Sequence, residues 1–178
     1  MLLVRHGETV DNARQIMQGQ TQGELNAEGV RQAEQLAAQL SDRPIDAFVA
    51  SDLKRAADTC RILAAPHGKE VVTTPLLRER DWGSFTGRYI PSLKGEAWPG
   101  DVETLDSMLA RACAFLKYIE ENWPDQVVLA VGHGIMNKAV QAVYYGKKMR
   151  EVERMTNCEV RTLTLPFRGF PPKNIDSP

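Results

Sequence analysis

The sequence predicts a three-layer α/β/α sandwich on a mainly parallel sheet. Short apolar runs of strand length alternate with amphipathic segments of helical period, and the runs break off abruptly in polar or glycine-bearing loops. Crossover helices joining parallel strands must cover both faces of the sheet, which gives the three layers. The 178 residues, 43% hydrophobic and 25% charged, are enough for one domain with a core and a cleft.

Met1-Leu2-Leu3-Val4 is wholly apolar and stops at Arg5-His6-Gly7, as a buried strand ending in a loop does. Asn26 caps a helix whose apolar positions Val30, Ala33, Ala37 and Leu40 fall on one face, and Asp42-Arg43-Pro44 ends it. Ile45 to Ala50 reads as the second strand. Ser51-Asp52 reads as the cap of a helix running through Ala56, Cys60 and Leu63 to Pro66.

A third strand is expected within Glu70 to Leu77, where Val71, Val72 and two threonines favour pleated structure. From Arg80 to Glu103, Gly83, Gly87, Pro91, Gly95, Pro99 and Gly100 interrupt any regular element, so this stretch reads as an insertion or lid. Leu105, Met108, Leu109, Ala112, Leu116 and Ile119 mark a long helix ending near Pro124. A strand over Gln126 to Val131 then closes at Gly132-His133-Gly134, a helix runs to Gly146, and a last strand spans Glu159 to Leu165. The domain is expected to occupy residues 1–170, with 171–178 a mobile tail rich in proline and polar residues.

Charge and composition narrow the function. With 22 basic and 23 acidic side chains the net charge is −1, so no overall field draws the chain to nucleic acid or an anionic membrane, and any anion site is local. No run is long enough to span a bilayer and no secretory leader is visible, which makes a cytosolic location the expectation. The cysteines Cys60, Cys113 and Cys158 form no C-x-x-C and read as free thiols.

Two of the three histidines, His6 and His133, end expected strands in the same way, each followed by glycine. In a parallel sheet both lie at the carboxyl edge, where ligands bind. A strand-end histidine alone is more often structural; the pair points to chemistry. Gly7 and Gly134 let backbone amides approach an anion, and Arg5 and Arg55 supply guanidinium forks that match phosphate oxygens. Arg55 lies in the first turn of its helix, so its side chain leans back toward the same crevice. It also reads as a surface ion-pair partner of Asp52 or Asp58. Glu79 sits beyond the third strand, where it can donate a proton to a leaving alcohol or pair with Arg78 or Arg80.

These residues belong to wider motifs. Leu2-Leu3-Val4-Arg5-His6-Gly7-Glu8-Thr9 with Asn12 resembles the opening of the histidine phosphatase superfamily, which includes the cofactor-dependent phosphoglycerate mutases. Leu25 to Ala33, Ser51 to Ala56 with Thr59, Leu77-Arg78-Glu79 and Val131 to Gly134 follow in the matching order. The resemblance implies the phosphoglycerate mutase-like fold. It also implies that His6 accepts a phosphoryl group, that Arg5, Arg55, His133 and Asn12 hold it, and that Glu79 is the proton donor. Gln18 and Gly19 match a substrate-facing loop of that family.

Mutases that resemble this chain carry a longer insertion with tandem arginines and a lysine soon after the acid. Here no Arg-Arg lies between Glu79 and His133, and Ile90 stands at the lysine position, with Arg88 and Lys94 nearby. The expectation is therefore a phosphomonoester hydrolase acting on a small phosphorylated metabolite, without metal or cofactor. Mutase-type transfer is the alternative, and a non-catalytic phosphate-binding domain is the second. A hydrolytic metal site fits less well, because no H-x-H or H-x-x-x-H spacing occurs and Arg5 would repel a cation. The aromatics Trp82, Phe85, Tyr89 and Trp98 either contact a leaving group or simply pack the loop.

Overall fold

A computed structural model describes residues 1–164. Five strands form one sheet in the order β3-β2-β4-β1-β5, with β1 at Leu2–Arg5, β2 at Ala47–Ser51, β3 at Val71–Thr74, β4 at Val128–Gly132 and β5 at Val160–Thr162. Only β5 runs antiparallel, against β1. Helices α2 (Ala27–Leu40) and α3 (Lys54–Ala64) cover one face, and α4 (Leu105–Asn122) and α5 (Gly134–Tyr145) cover the other. The expected three layers and mainly parallel sheet are present.

Alternation along the strands makes the two cores. Leu3, Val49, Val128 and Ala130 pack with Met108, Phe115 and Met136 of α4 and α5. Leu2, Val4, Phe48, Ala50, Leu129 and Val131 pack with Leu36, Cys60 and Leu63 of α2 and α3. Every residue of β4 is buried, as a central strand covered on both sides requires.

Element boundaries shift for local reasons. β2 starts at Ala47 and ends at Ser51, one residue beyond the expected end. The expected Ser51-Asp52 cap becomes a turn: Leu53 is the N-cap of α3 without a side-chain bond, while Ser51 Oγ accepts from the Leu53 amide at 3.3 Å. β3 ends at Thr74 because Pro75 has no N–H for the ladder, and Pro75–Leu77 turns into a 3₁₀ helix. β4 lies at Val128–Gly132 rather than Gln126 to Val131. Of the last expected strand, Val160–Thr162 pairs, and Leu165 and the 171–178 tail lie outside the described residues.

A helix that periodicity did not announce, α1 (Val10–Ala13), follows β1. Its Thr9 and Asn12 form a reciprocal cap, with Thr9 Oγ1 accepting from the Asn12 amide at 3.0 Å and Asn12 Oδ1 from the Thr9 amide at 3.3 Å. The interrupted segment after Glu79 holds only two 3₁₀ turns, Gly83–Phe85 and Ile90–Leu93. It is tied to the loop after α1 by the bonds Met17 N–H to Arg88 O (2.9 Å), Gly87 N–H to Met17 O (2.7 Å) and Ile90 N–H to Gln15 O (2.8 Å).

Candidate active site

The sheet register places the two histidines side by side. β1 and β4 pair in parallel with Arg5 opposite Gly132, so the residues that leave the two strands next are His6 and His133. Their rings lie 5.1 Å apart, tilted by 60°. Both are buried, and the His6 amide donates to Gly132 O at 3.1 Å while Asn157 Nδ2 donates to His6 O at 2.9 Å. The backbone at His6 is thus held from both sides.

His6 Nδ1 lies 2.7 Å from the Gly7 carbonyl oxygen. A carbonyl only accepts, so Nδ1 carries the hydrogen and Nε2 carries the lone pair. Burial pushes the His6 imidazole well below its ordinary pKa, and the charges of Arg55 and Arg5 push it further. The ring is a neutral base at physiological pH. Burial, followed by Arg55 and His6, does the same to His133, whose two ring nitrogens are buried without a partner among the described residues.

Arg5 and Arg55 flank the histidines as buried cations. Arg5 Nη1 donates to Met155 O at 2.7 Å, and Arg55 Nη2 donates to Gly19 O at 2.8 Å while its Nη1 reaches Thr21 O. The Nε of each is buried and unpartnered. Burial lowers both pKa values to about 10, which leaves both guanidiniums charged near neutral pH. Placing such cations beside the unpartnered His133 imidazole is unfavourable unless an anion completes the set.

The remaining expected residues fall into several roles. Gly7 is needed for close approach: a β-carbon there would stand 2.5 Å from Gly29 O at the start of α2. Its amide, expected to face a ligand, instead donates to Thr59 Oγ1 at 3.1 Å, and Thr59 in turn donates to Arg55 O at 2.7 Å. Asn12 spends its Oδ1 on the α1 cap, and its Nδ2 has no hydrogen-bond partner among the described residues. Gln18 and Gly19 belong to the loop wrapped around Arg55: Gly19 has φ +53°, and Gln18 Oε1 is buried without a partner. Gly134 opens α5, next to His133 at the N-cap.

Glu79 pairs with neither Arg78 nor Arg80 through its side chain. Its carboxylate accepts from the amides of Ile135 (3.1 Å), Met136 (3.0 Å) and Arg80 (2.9 Å), and so caps the first turn of α5. That places it against the start of α5, whose N-cap is His133. Arg78 is taken by Asp52 at 2.6 Å.

Sequence reasoning missed the residues that hold this geometry. Arg111 on α4 is locked to Glu103 at 2.8 Å and donates to the carbonyls of Leu76, Arg78 and Glu79, fixing the segment that carries the acid. An arginine beside the buried stripe Met108–Ala112–Phe115 was its one local signal. Asn157 and Arg154 gave none, since they precede β5 and reach the site only through the fold. Arg80 is stacked 4.8 Å from the ring centroids of both Trp82 and Trp98, which gathers those two rings around it while Trp98 stays 61% exposed.

A neutral imidazole with a free lone pair, beside cations that form no ion pair among the described residues, is suited to a tetrahedral oxyanion and to a nitrogen nucleophile, the working parts of a phosphoryl-transfer enzyme. The chain belongs to the histidine phosphatase superfamily, branch 1, whose family pattern it matches over residues 1–171. It is 33% identical over 184 residues to phosphoglycerate mutase-like protein 4 of Arabidopsis thaliana, covering 93% of this chain and 79% of that protein. It is 35% identical over 158 residues to the metal-independent phosphoserine phosphatase of the same plant, covering 79% of this chain and 66% of that protein. Among solved structures, a mycobacterial glucosyl-3-phosphoglycerate phosphatase in complex with VO3 superposes with a TM-score of 0.83 at 27% identity, covering 90% of each chain. Among the described residues no helix is long and apolar enough to cross a membrane, and no cluster of His, Cys, Asp and Glu could hold a metal ion.

Proposed function

We propose that this protein hydrolyses the phosphomonoester of a small metabolite through a phosphohistidine on His6 Nε2. The observation that carries the reading is the His6 Nδ1 contact with Gly7 O at 2.7 Å, which leaves the other nitrogen as the nucleophile among Arg5, Arg55 and His133.

In the first step Nε2 attacks phosphorus and the bond from phosphorus to the ester oxygen breaks. Glu79 gives that oxygen a proton, and the product alcohol leaves. In the second step water attacks the phosphohistidine, the P–N bond breaks, and Glu79 regains a proton from the water. Arg5, Arg55 and His133 stabilise charge on the equatorial oxygens, while Asn12 Nδ2 and the loop at Gln18 and Gly19 border the group. No step requires a metal ion. The substrates named for the relatives, phosphoserine and glucosyl-3-phosphoglycerate, support a small phosphorylated metabolite here. The three unpaired thiols suit a reducing compartment, and with it a cytosolic location.

Mutase-type transfer is the second reading, favoured by the phosphoglycerate mutase-like plant relative. One panel separates the two: phosphate release from an aryl phosphate and from a set of metabolite monoesters, beside isomerisation of 3-phosphoglycerate with its bisphosphorylated primer. Release without isomerisation and without inhibition by chelators is expected. Isomerisation faster than release would establish the mutase, and silence on the whole panel would favour a phosphate-binding domain.

A further inference from the structure

Beside the start of α5 stands one more cation. Arg154 lies between the 3₁₀ turn Met149–Glu151 and β5, and it is exposed. Its guanidinium crosses the first residue of α5: a β-carbon built on Gly134 would stand 2.9 Å from Nε and 3.1 Å from Nη2 of Arg154. The neighbouring residue, Met155, gives its carbonyl to Arg5 at 2.7 Å, so the segment bearing Arg154 is fastened to the buried cation of the site.

Among the described residues Arg154 forms no ion pair or hydrogen bond, although other arginines nearby are matched: Arg111 by Glu103, Arg78 by Asp52 and Arg161 by Glu159. Its charge is felt inside the site, where it follows burial in lowering the pKa of Arg5 and also acts on His6, there less than Arg55 and Arg5 do. Arg154 therefore belongs to the same field but stands further out. Among the described residues the Gly134 amide beside it also has no partner, whereas the next two amides go to Glu79. His133, fully buried and unpartnered on both ring nitrogens among the described residues, is the N-cap of the same helix start.

Charge decides what Arg154 is for. With Glu79 protonated, as the first step of the proposed reaction requires, a phosphate monoester dianion balances the two buried guanidiniums, Arg5 and Arg55. The third guanidinium, at the rim, is left over for charge that the phosphoryl group does not carry. We propose that Arg154 is a specificity-determining residue that binds a second anionic group, a carboxylate or a further phosphate, on the leaving group of the substrate. This rests on the hydrolase reading above.

The test compares three competitive inhibitors of aryl phosphate hydrolysis: ethyl phosphate, 2-phosphoglycolate and ethylene glycol bisphosphate. The quantity read is the ratio of inhibition constants within each protein, which cancels any general loss of activity. The wild type is expected to hold at least one of the two inhibitors with an anionic tail about tenfold more tightly than ethyl phosphate. Arg154→Met is expected to bring that ratio close to one, and Arg154→Lys to restore part of it. Which of the two inhibitors gains shows whether the group is a carboxylate or a phosphate. A ratio near one in the wild type, or the same ratio in Arg154→Met, overturns the proposal. Calorimetric binding of the same three compounds gives the ratio without turnover, so a wild type that hydrolyses nothing would refute the hydrolase reading while the role of Arg154 is still decided.

Discussion

The amide of Gly7 donates to Thr59 Oγ1 at 3.1 Å, and through that one hydroxyl the turn carrying His6 is joined to the helix carrying Arg55. Thr59 is fully buried, so removing its hydroxyl strands a buried N–H. Thr59→Val is expected to cost about 1–3 kcal/mol of stability, read from urea unfolding. Its kcat should fall as well, because the nucleophile and one of its cations lose their common anchor. An unchanged unfolding midpoint would mean that water replaces the contact.

Close approach at the same turn gives a second prediction. A β-carbon on Gly7 would meet Gly29 O at 2.5 Å, and one on Gly29 would meet the Glu8 carbonyl oxygen. Both obstacles are backbone, which cannot rotate away. Gly7→Ala is therefore expected to destabilise the fold by about 1–3 kcal/mol, with the loss visible as a lowered thermal midpoint.

Arg111 offers a test of the acid. It holds the carbonyls of residues 76, 78 and 79 while Glu103 holds it, and it hydrogen-bonds to neither histidine, acting on His133 through charge alone, behind burial, Arg55, His6 and Arg5. Loosening Glu79 matters only when the leaving oxygen needs a proton. Arg111→Met should lower kcat on alkyl phosphates by about tenfold or more, and on aryl phosphates with acidic phenols much less. An equal loss on both classes would assign Arg111 a purely structural part.

The buried imidazoles also set a pH dependence of stability. His6 and His133 both have pKa values held well below the ordinary 6.5 by burial and then by Arg55, so below pH 6.5 the unfolded chain binds protons that the native one does not. Each contributes stability that is complete above that pH and is lost as the pH falls below it, by up to about 1.4 kcal/mol per pH unit. Denaturant midpoints between pH 6.5 and 5 should therefore fall less steeply in His133→Asn than in the wild type.

What could be read in advance was what local pattern encodes. Apolar runs that stop at Arg5-His6-Gly7 and at Gly132-His133-Gly134 announced both strand ends, because a buried strand of a parallel sheet must be apolar throughout. Strand order carried no such signal: β4 lies between β1 and β2 only because contacts more than 70 residues apart in sequence settle it. Glu79 was found, but its three amide donors could not be, since they depend on where α5 begins in space. The four-residue α1 is too short for periodicity, and its Thr9–Asn12 cap was the only clue.

The most direct measurement is the covalent state of His6 during turnover. The protein is mixed with a phosphate monoester, quenched in denaturing base, digested after arginine, and the fragment His6 to Arg14, which contains a single histidine, is weighed and sequenced by mass spectrometry. A phosphoryl group on His6, stable in base, lost in acid, and absent from both Glu79→Gln without substrate and His6→Ala with it, is the predicted result. Hydrolysis that continues in His6→Ala, or a turnover-linked label on any other residue, would contradict the assignment of His6 as nucleophile.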